Sequence, residues 1–231
     1  CNTPAAPSIS TAEHTMSLLM SASKFTANNV ARLRAGRQDF YAAHEGIELS
    51  GATIGVVGHG RIGSRVARMC AAMDMRVIVC DPYVKVAEHE QVDLDVILTE
   101  SRIITMHTPL TDETRKLLDA AAFARMQDGV IIVNAARGGV IDTQALVDAL
   151  DSGKVYAAGL DVTAPEPLDP EHTLLNRDNV VVTPHIASAT DKGRVRMYSG
   201  AIENARQVLA GERPVDCVNP HVYEVLEGRS S

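Results

Sequence analysis

The chain is short of aromatic residues, with three Phe, five Tyr and no Trp among 231 residues. That leaves little for base stacking, the usual grip on single-stranded nucleic acid. It also lacks a basic excess. There are 22 Lys and Arg against 29 Asp and Glu, a formal charge of −7, whereas a general nucleic-acid binder needs a basic footprint. The four cysteines, Cys1, Cys70, Cys80 and Cys217, are scattered and form no CxxC pair. Neither a disulfide framework nor a zinc site is expected from them, and free thiols suit a reducing, cytoplasmic compartment. No apolar run approaches the roughly 18–20 residues that a membrane-spanning helix needs, so no membrane partner is expected. The start, CNTPAAPSIS, has neither an initiator Met nor a basic segment followed by an apolar one. It does not read as a signal peptide, and the chain is expected to begin inside a longer protein.

What is present is ordinary globular composition, 45% hydrophobic and 22% charged, in a length that suits one large domain or two small ones. Residues 11–36 read as one long helix. Thr11 is its candidate cap, Met16, Leu19, Met20 and Phe25 are its apolar stripe, and Gly36 is its stop. From residue 51 short apolar strands alternate with helices. Strands are expected at 52–57, 76–80, 102–107, 130–135, 156–162 and 179–185, and helices at 61–73, 118–126 and 142–151. Strands this uniformly apolar are buried on both faces, as in a parallel sheet. The alternation predicts an α/β fold with a doubly wound parallel sheet of Rossmann type. A second long helix runs from near Ser188 to Gly211. The expected organisation is residues 1–45 as linker and long helix, 46–186 as a dinucleotide-binding domain, and 187–231 as a returning C-terminal helix.

Gly58-His59-Gly60-Arg61-Ile62-Gly63 is a GxGxxG motif. Alone it is a weak signal. Here it follows an apolar strand and opens a helix, in a unit of about 30 residues that closes on a second strand. Asp81 ends that strand at about the separation from Gly63 (~20 residues) that a dinucleotide fingerprint carries. Gly58 permits the tight turn, Gly60 lets backbone approach a pyrophosphate, and Gly63 lets helix and strand pack closely, with Ala67 one turn on. The phosphates would meet free N–H groups and the positive end of the helix dipole. Asp81 would accept hydrogen bonds from both ribose hydroxyls and repel the extra phosphate of NADP. NAD is therefore the expected cofactor, although Lys85 lies close by.

Later loops carry Arg137, Asp161, Glu166 and His185, each just past the end of an expected strand, where ligands bind in open α/β sheets. Taken singly they read as a surface arginine, loop acids and a satisfied histidine. Together, behind a dinucleotide motif, they form a coherent set. A guanidinium can grip the carboxylate of a 2-oxo acid with two hydrogen bonds. A histidine can donate a proton to the oxo oxygen as hydride arrives, and remove it in reverse. A glutamate beside that histidine fixes its tautomer and favours its charged form. The other histidines, His14, His44, His59, His89, His107, His172 and His221, show no metal-ligand spacing, and no metal is expected. His107 reads as structural.

The strings AEHTMSLLM, GATIGVVGHGRIGSRVA, CDPYV, HTPLTDETRKLL, VNAARGGVIDTQALVDAL, AAGLDVTAPEP and NVVVTPHIASAT resemble the D-isomer-specific 2-hydroxyacid dehydrogenases. That family includes phosphoglycerate dehydrogenase, glycerate/hydroxypyruvate reductase and glyoxylate reductase. The resemblance runs from residue 11 to about 220. It implies that Arg137, Glu166 and His185 are catalytic. It also implies that Arg61, Ile62, Asp81, Thr108, Ala135, Ala136, Arg137, Asp161 and Ser188 line the cofactor, with Asp161 on the nicotinamide carboxamide. It further implies a homodimer, in which the first helix takes part. Family members carry a further segment ahead of that helix, holding most of the substrate domain, and this chain does not show it. The expected activity is NAD-dependent interconversion of a small 2-oxo acid and its D-2-hydroxy acid. The alternatives are an NAD(H)-responsive, corepressor-like binding protein or an inactive cofactor-binding fragment.

Overall fold

A computed structural model of the protein describes residues 1–37 and 45–223. His44 and the end of the C-terminal segment lie outside the described residues. In chain order the elements are α1 (Ser8–Lys24), α2 (Thr26–Arg34), β1 (Thr53–Val57), α3 (Gly63–Ala71), β2 (Arg76–Cys80), β3 (Glu90–Gln91), α4 (Leu94–Glu100) and β4 (Ile103–Met106). There follow α5 (Ala120–Arg125), β5 (Val130–Asn134), α6 (Thr143–Asp151), β6 (Val155–Leu160), β7 (Val180–Val182) and α7 (Asp191–Leu209). The seven strands form one sheet in the order β3-β2-β1-β4-β5-β6-β7, and every pair is parallel. This is the doubly wound arrangement that the sequence predicts.

Alternation along the central strands explains why two layers of helix cover the sheet. On β4 and β5, Ile103, Ile131 and Val133 face a core shared with Leu18, Leu19, Phe25, Val66 and Cys70. Their neighbours Ile104, Met106, Val130 and Ile132 face the opposite core, with Ile97, Leu98, Phe123 and Leu146. All residues of β4 and β5 are buried. The outermost strand β3, Glu90–Gln91, is exposed and short, which limits an edge that could recruit another chain. β3 and α4 were not anticipated from the sequence. The segment EQVDLDVILTE is too brief and too acidic for its period to stand out.

The expected single helix over 11–36 is two helices. Thr11 is not its cap: the helix starts at Ser8, and Thr11 N–H already donates to the Pro7 carbonyl at 2.8 Å. A proline tolerates a helix start because its missing N–H has no helical partner there. The break falls at Phe25, which is left-handed (φ 52°, ψ 33°). Its ring is 1% exposed and meets Tyr156 edge-on at 5.4 Å. The turn there sets the ring in the core of the sheet. Gly36, at φ 74°, ends α2 as expected.

The described residues form two compact units. One runs from Ala12 to Ala187 and holds the whole sheet; the other joins Cys1–Thr11 to the segment from Ser188 onward. The sequence reading grouped α1 with residues 1–45, whereas Leu18, Leu19 and Phe25 belong to the core of the sheet. α1 lies close on β6, because a Cβ on Gly159 would stand 3.0 Å from the Leu18 Cβ and carbonyl oxygen. In the second unit Thr190 caps α7, accepting the Gly193 N–H at 3.0 Å and meeting Ser10 Oγ at 2.7 Å. Arg196 Nε donates to the Ala6 carbonyl and Asn204 Nδ2 to that of Asn2, both at 3.0 Å.

Candidate active site

Parallel pairing brings every strand's carboxyl end to one edge of the sheet. The loops after β1, β2, β4, β5, β6 and β7 carry, respectively, the glycine motif, Asp81, Thr108, Arg137, Asp161 and His185. The chain leaves β1 for β2 and β3 on one side and returns to β4 on the other. Loops diverge at such a reversal and leave a crevice for a ligand.

The glycine loop is built by close approach. Gly58 has φ 94°, and a Cβ there would stand 2.8 Å from the His107 carbonyl group. A Cβ on Gly63 would lie 2.0 Å from the Gly58 carbonyl oxygen, while one on Gly60 would meet nothing within 4 Å. Gly58 N–H donates to the Cys80 carbonyl at 2.8 Å, which ties β1 to the end of β2. No side chain caps the N-terminus of α3. The Ser64 and Arg65 N–H groups donate to the Gly60 and Ile62 carbonyls at 3.1 and 3.0 Å, and the turn ahead of them is where an anion would meet a helix N-terminus. Asp81 Oδ2 accepts the His59 N–H at 2.7 Å, and Oδ1 accepts those of Tyr83 and Val84 at 2.9 and 3.1 Å. A carboxylate offers about four acceptor sites, so about one remains for a ribose hydroxyl.

Thr108 Oγ1 is buried without a hydrogen-bond partner. A buried hydroxyl left unsatisfied signals a ligand atom or water. With the open space above Gly60 and the uncapped helix, this fits a dinucleotide. His107 serves structure, as expected. Its N–H donates to the Val57 carbonyl at 2.7 Å, and Nε2 meets Thr105 Oγ1 at 2.9 Å. Burial pushes its imidazole down to about 3, so it stays neutral.

On the other side of the crevice, Asn134 organises the loop after β5. Its Nδ2 donates to the Arg137 carbonyl and its Oδ1 accepts the Ala136 N–H, both at 3.0 Å. Ala135 is buried, and Arg137 is exposed, with Nη1 2.6 Å from the Ala136 carbonyl. The next loop abuts this one: a Cβ on Gly138 would stand 1.9 Å from the Thr163 carbonyl oxygen. His185 Nδ1 lies 2.6 Å from Glu166 Oε1, with both side chains roughly half exposed. That contact orients the ring, with Nδ1–H on the carboxylate and Nε2 as the remaining working nitrogen. A cavity of about 470 Å³ adjoins the pair, lined in part by Leu168, Leu175, Val182 and Pro184.

Asp161 is placed differently from its neighbours. Its side chain is wholly buried. Oδ1 accepts from Thr183 Oγ1 at 2.6 Å and Ile186 N–H at 2.9 Å, and Oδ2 accepts the Ala187 N–H at 2.9 Å. Its backbone carbonyl takes the His185 N–H at 2.8 Å. Ser188 falls in the other compact unit, where its carbonyl accepts the Thr190 N–H at 2.9 Å. The sequence reading missed Asn134 and Thr183, and gave His14 no role. Asn134 carried one legible signal, a polar residue closing an otherwise apolar strand.

Residues 16–187 match the sequence model of the D-isomer specific 2-hydroxyacid dehydrogenase NAD binding domain. The chain is 43% identical over 201 residues to a D-3-phosphoglycerate dehydrogenase of Archaeoglobus fulgidus, covering 85% of this chain and 38% of that protein. It is 44% identical over 206 residues to a hydroxypyruvate reductase of Thermotoga maritima, covering 87% of this chain and 67% of that one. Among solved structures, the TT0316 protein of Thermus thermophilus superposes with a TM-score of 0.89 at 40% identity, covering 94% of this chain and 70% of that chain. The chain thus spans well under half of the first of these relatives.

Proposed function

This chain belongs to the D-isomer specific 2-hydroxyacid dehydrogenases, and from that premise we propose that it is the cofactor-binding part of an NAD-dependent enzyme that interconverts a small 2-oxo acid and its D-2-hydroxy acid. The observation that carries this reading is the 2.6 Å contact of His185 Nδ1 with Glu166 Oε1, on the strand edge that also bears the glycine loop. When bound, NADH supplies the hydride. Arg137 grips the substrate carboxylate with its fork of N–H donors and polarises the neighbouring carbonyl. His185 donates the Nε2 proton to the oxygen that becomes the hydroxyl, and Glu166 holds the Nδ1 side of the ring so that Nε2 faces that oxygen. In the reverse direction Nε2 is the base.

Gly58, Gly60, Arg61, Ile62 and Gly63 hold the pyrophosphate, and Asp81 holds the adenosine ribose. Thr108, Ala135, Ala136 and Asp161 line the nicotinamide half. Asp81 favours NAD over NADP, since a carboxylate repels a second phosphate. The working assembly is a cytoplasmic homodimer. Within it, 46–186, with α1 packed on the sheet, form the dinucleotide domain, and 187–231 return to a substrate domain. The names of the relatives favour glyoxylate, hydroxypyruvate or 3-phosphoglycerate chemistry. The test is NADH oxidation by the whole gene product with glyoxylate, hydroxypyruvate and phosphohydroxypyruvate, beside His185→Gln. The variant should lose at least about a hundredfold in kcat and bind NADH normally. Normal turnover in His185→Gln would remove the histidine from the proton step.

A further inference from the structure

Asp161 and Thr183, on the lining of the same cavity as Glu166 and His185, form a polar cluster with His14, a residue that has no part in the proton and hydride transfers described above. His14 on α1 places Nε2 3.0 Å from Thr183 Oγ1 and 3.2 Å from Asp161 Oδ1. The direction of these bonds follows from chemistry. Asp161 as a carboxylate only accepts. The Thr183 hydroxyl proton is committed to Asp161 Oδ1 at 2.6 Å, so that hydroxyl can only accept from a further partner. His14 Nε2 must therefore carry the proton and donate. Asp161 in turn accepts the N–H groups of Ile186 and Ala187, and its carbonyl accepts that of His185. His185 itself sits at φ 53°. A residue with a Cβ occupies that region at a cost, and stays there only where its surroundings over-determine it.

We infer that His14 is a positioning residue for this reaction: acting through Thr183 and Asp161, it holds residues 185–187 in the conformation that aims the His185 ring. This rests on the proton-transfer role assigned above to His185. α1 is seated on β6 at Gly159, so the donor reaches the loop from a rigid element of the same compact unit. The arrangement makes a buried carboxylate common to two devices. One satisfies backbone N–H groups of the catalytic loop, and the other anchors that carboxylate from behind. A half-exposed histidine on a strained loop needs such a support, because small misplacement of a reacting group is expensive in rate.

The experiment compares His14→Leu with His14→Gln in the whole gene product. Glutamine keeps an N–H donor near the position of Nε2, whereas leucine fills similar space without one. Amide hydrogen exchange without cofactor is read at Ile186 and Ala187, with Val56 in the core of the sheet as reference. His14→Leu should speed exchange at Ile186 and Ala187 about tenfold, with Val56 unchanged, and His14→Gln should restore it. In turnover, His14→Leu should lower kcat about tenfold while the KM for NADH stays the same, again rescued by glutamine. Unchanged exchange at Ile186 and Ala187, equal acceleration at Val56, or glutamine failing to rescue would each overturn the inference, as would normal kcat in His14→Leu. If the wild type reduces no 2-oxo acid, the enzymatic reading fails and the exchange arm alone decides whether His14 holds the loop. Should His14→Leu not fold, Thr183→Val replaces it, removing the relay hydroxyl at similar volume, with faster exchange at Ile186 and Ala187 and lower kcat expected, Thr183→Ser as the rescue, and unchanged exchange or kcat overturning the inference.

Discussion

Gly63 and Gly60 stand in the same loop, and the structure assigns alanine opposite consequences at the two positions. Gly63 opens α3. In an ordinary helix, exchanging glycine for alanine gains about 1 kcal/mol. Here the new methyl would lie 2.0 Å from the Gly58 carbonyl oxygen and 3.3 Å from the His107 Cβ. The oxygen would have to retreat by roughly an ångström to reach normal contact. It belongs to backbone that is itself wedged against His107, so no flexible side-chain end can give way. Overpacking costs about 1–3 kcal/mol and sometimes more. We expect the upper end to win over the helix gain, leaving Gly63→Ala less stable by about 2 kcal/mol. At Gly60 nothing lies within 4 Å of the added carbon. Gly60→Ala should change stability by no more than about 0.5 kcal/mol. Its methyl would instead intrude where a pyrophosphate approaches, and NADH affinity should fall about tenfold or more, about 1.4 kcal/mol per decade. Urea unfolding midpoints and NADH fluorescence titrations of both variants measure the two effects. Equal destabilisation by both, or normal NADH binding in Gly60→Ala, would refute the assignment of separate tasks.

Asp81→Asn removes a charge and one acceptor from a group that ties His59, Tyr83 and Val84 together. NADH affinity should fall about tenfold and the preference over NADPH should narrow, which titration with both nucleotides reads directly. An unchanged preference would take Asp81 out of the ribose site. His107, held near 3 in the fold against an ordinary 6.5, binds its proton more weakly folded than unfolded. Its contribution to stability is complete above pH 6.5 and is lost progressively as pH falls toward 3. NMR titration should show His107 still neutral at pH 5, and denaturation should show stability declining below neutrality. Burial pushes the Cys70 thiol up to about 12, so folded protein at pH 8 should leave Cys70 unalkylated while the exposed Cys1 reacts. Rapid labelling of Cys70 without unfolding would contradict its placement in the core.

Local chemistry made much of this protein readable. The strands of the doubly wound sheet were legible because fully buried strands must be apolar throughout. The glycine fingerprint was legible because backbone approach to a phosphate excludes side chains at fixed spacing. Elements with weak periods, β3 and α4, escaped notice. So did the break at Phe25, a left-handed residue inside a helical pattern whose ring packs against Tyr156 from a distant strand. The candidate trio was legible as residue types at strand ends. The 2.6 Å pairing of Glu166 with His185 was not, because it depends on how two loops fold back on one edge. Asp161 shows the division most clearly. Its position just past a strand was plain from the sequence. That its carboxylate is buried and braces residues 186–187, with His14 behind it, was decided only when distant segments were packed side by side. Sequence determines which groups can hydrogen-bond; only tertiary packing brings a donor on α1 to an acceptor after β6 and removes the water that would otherwise satisfy both.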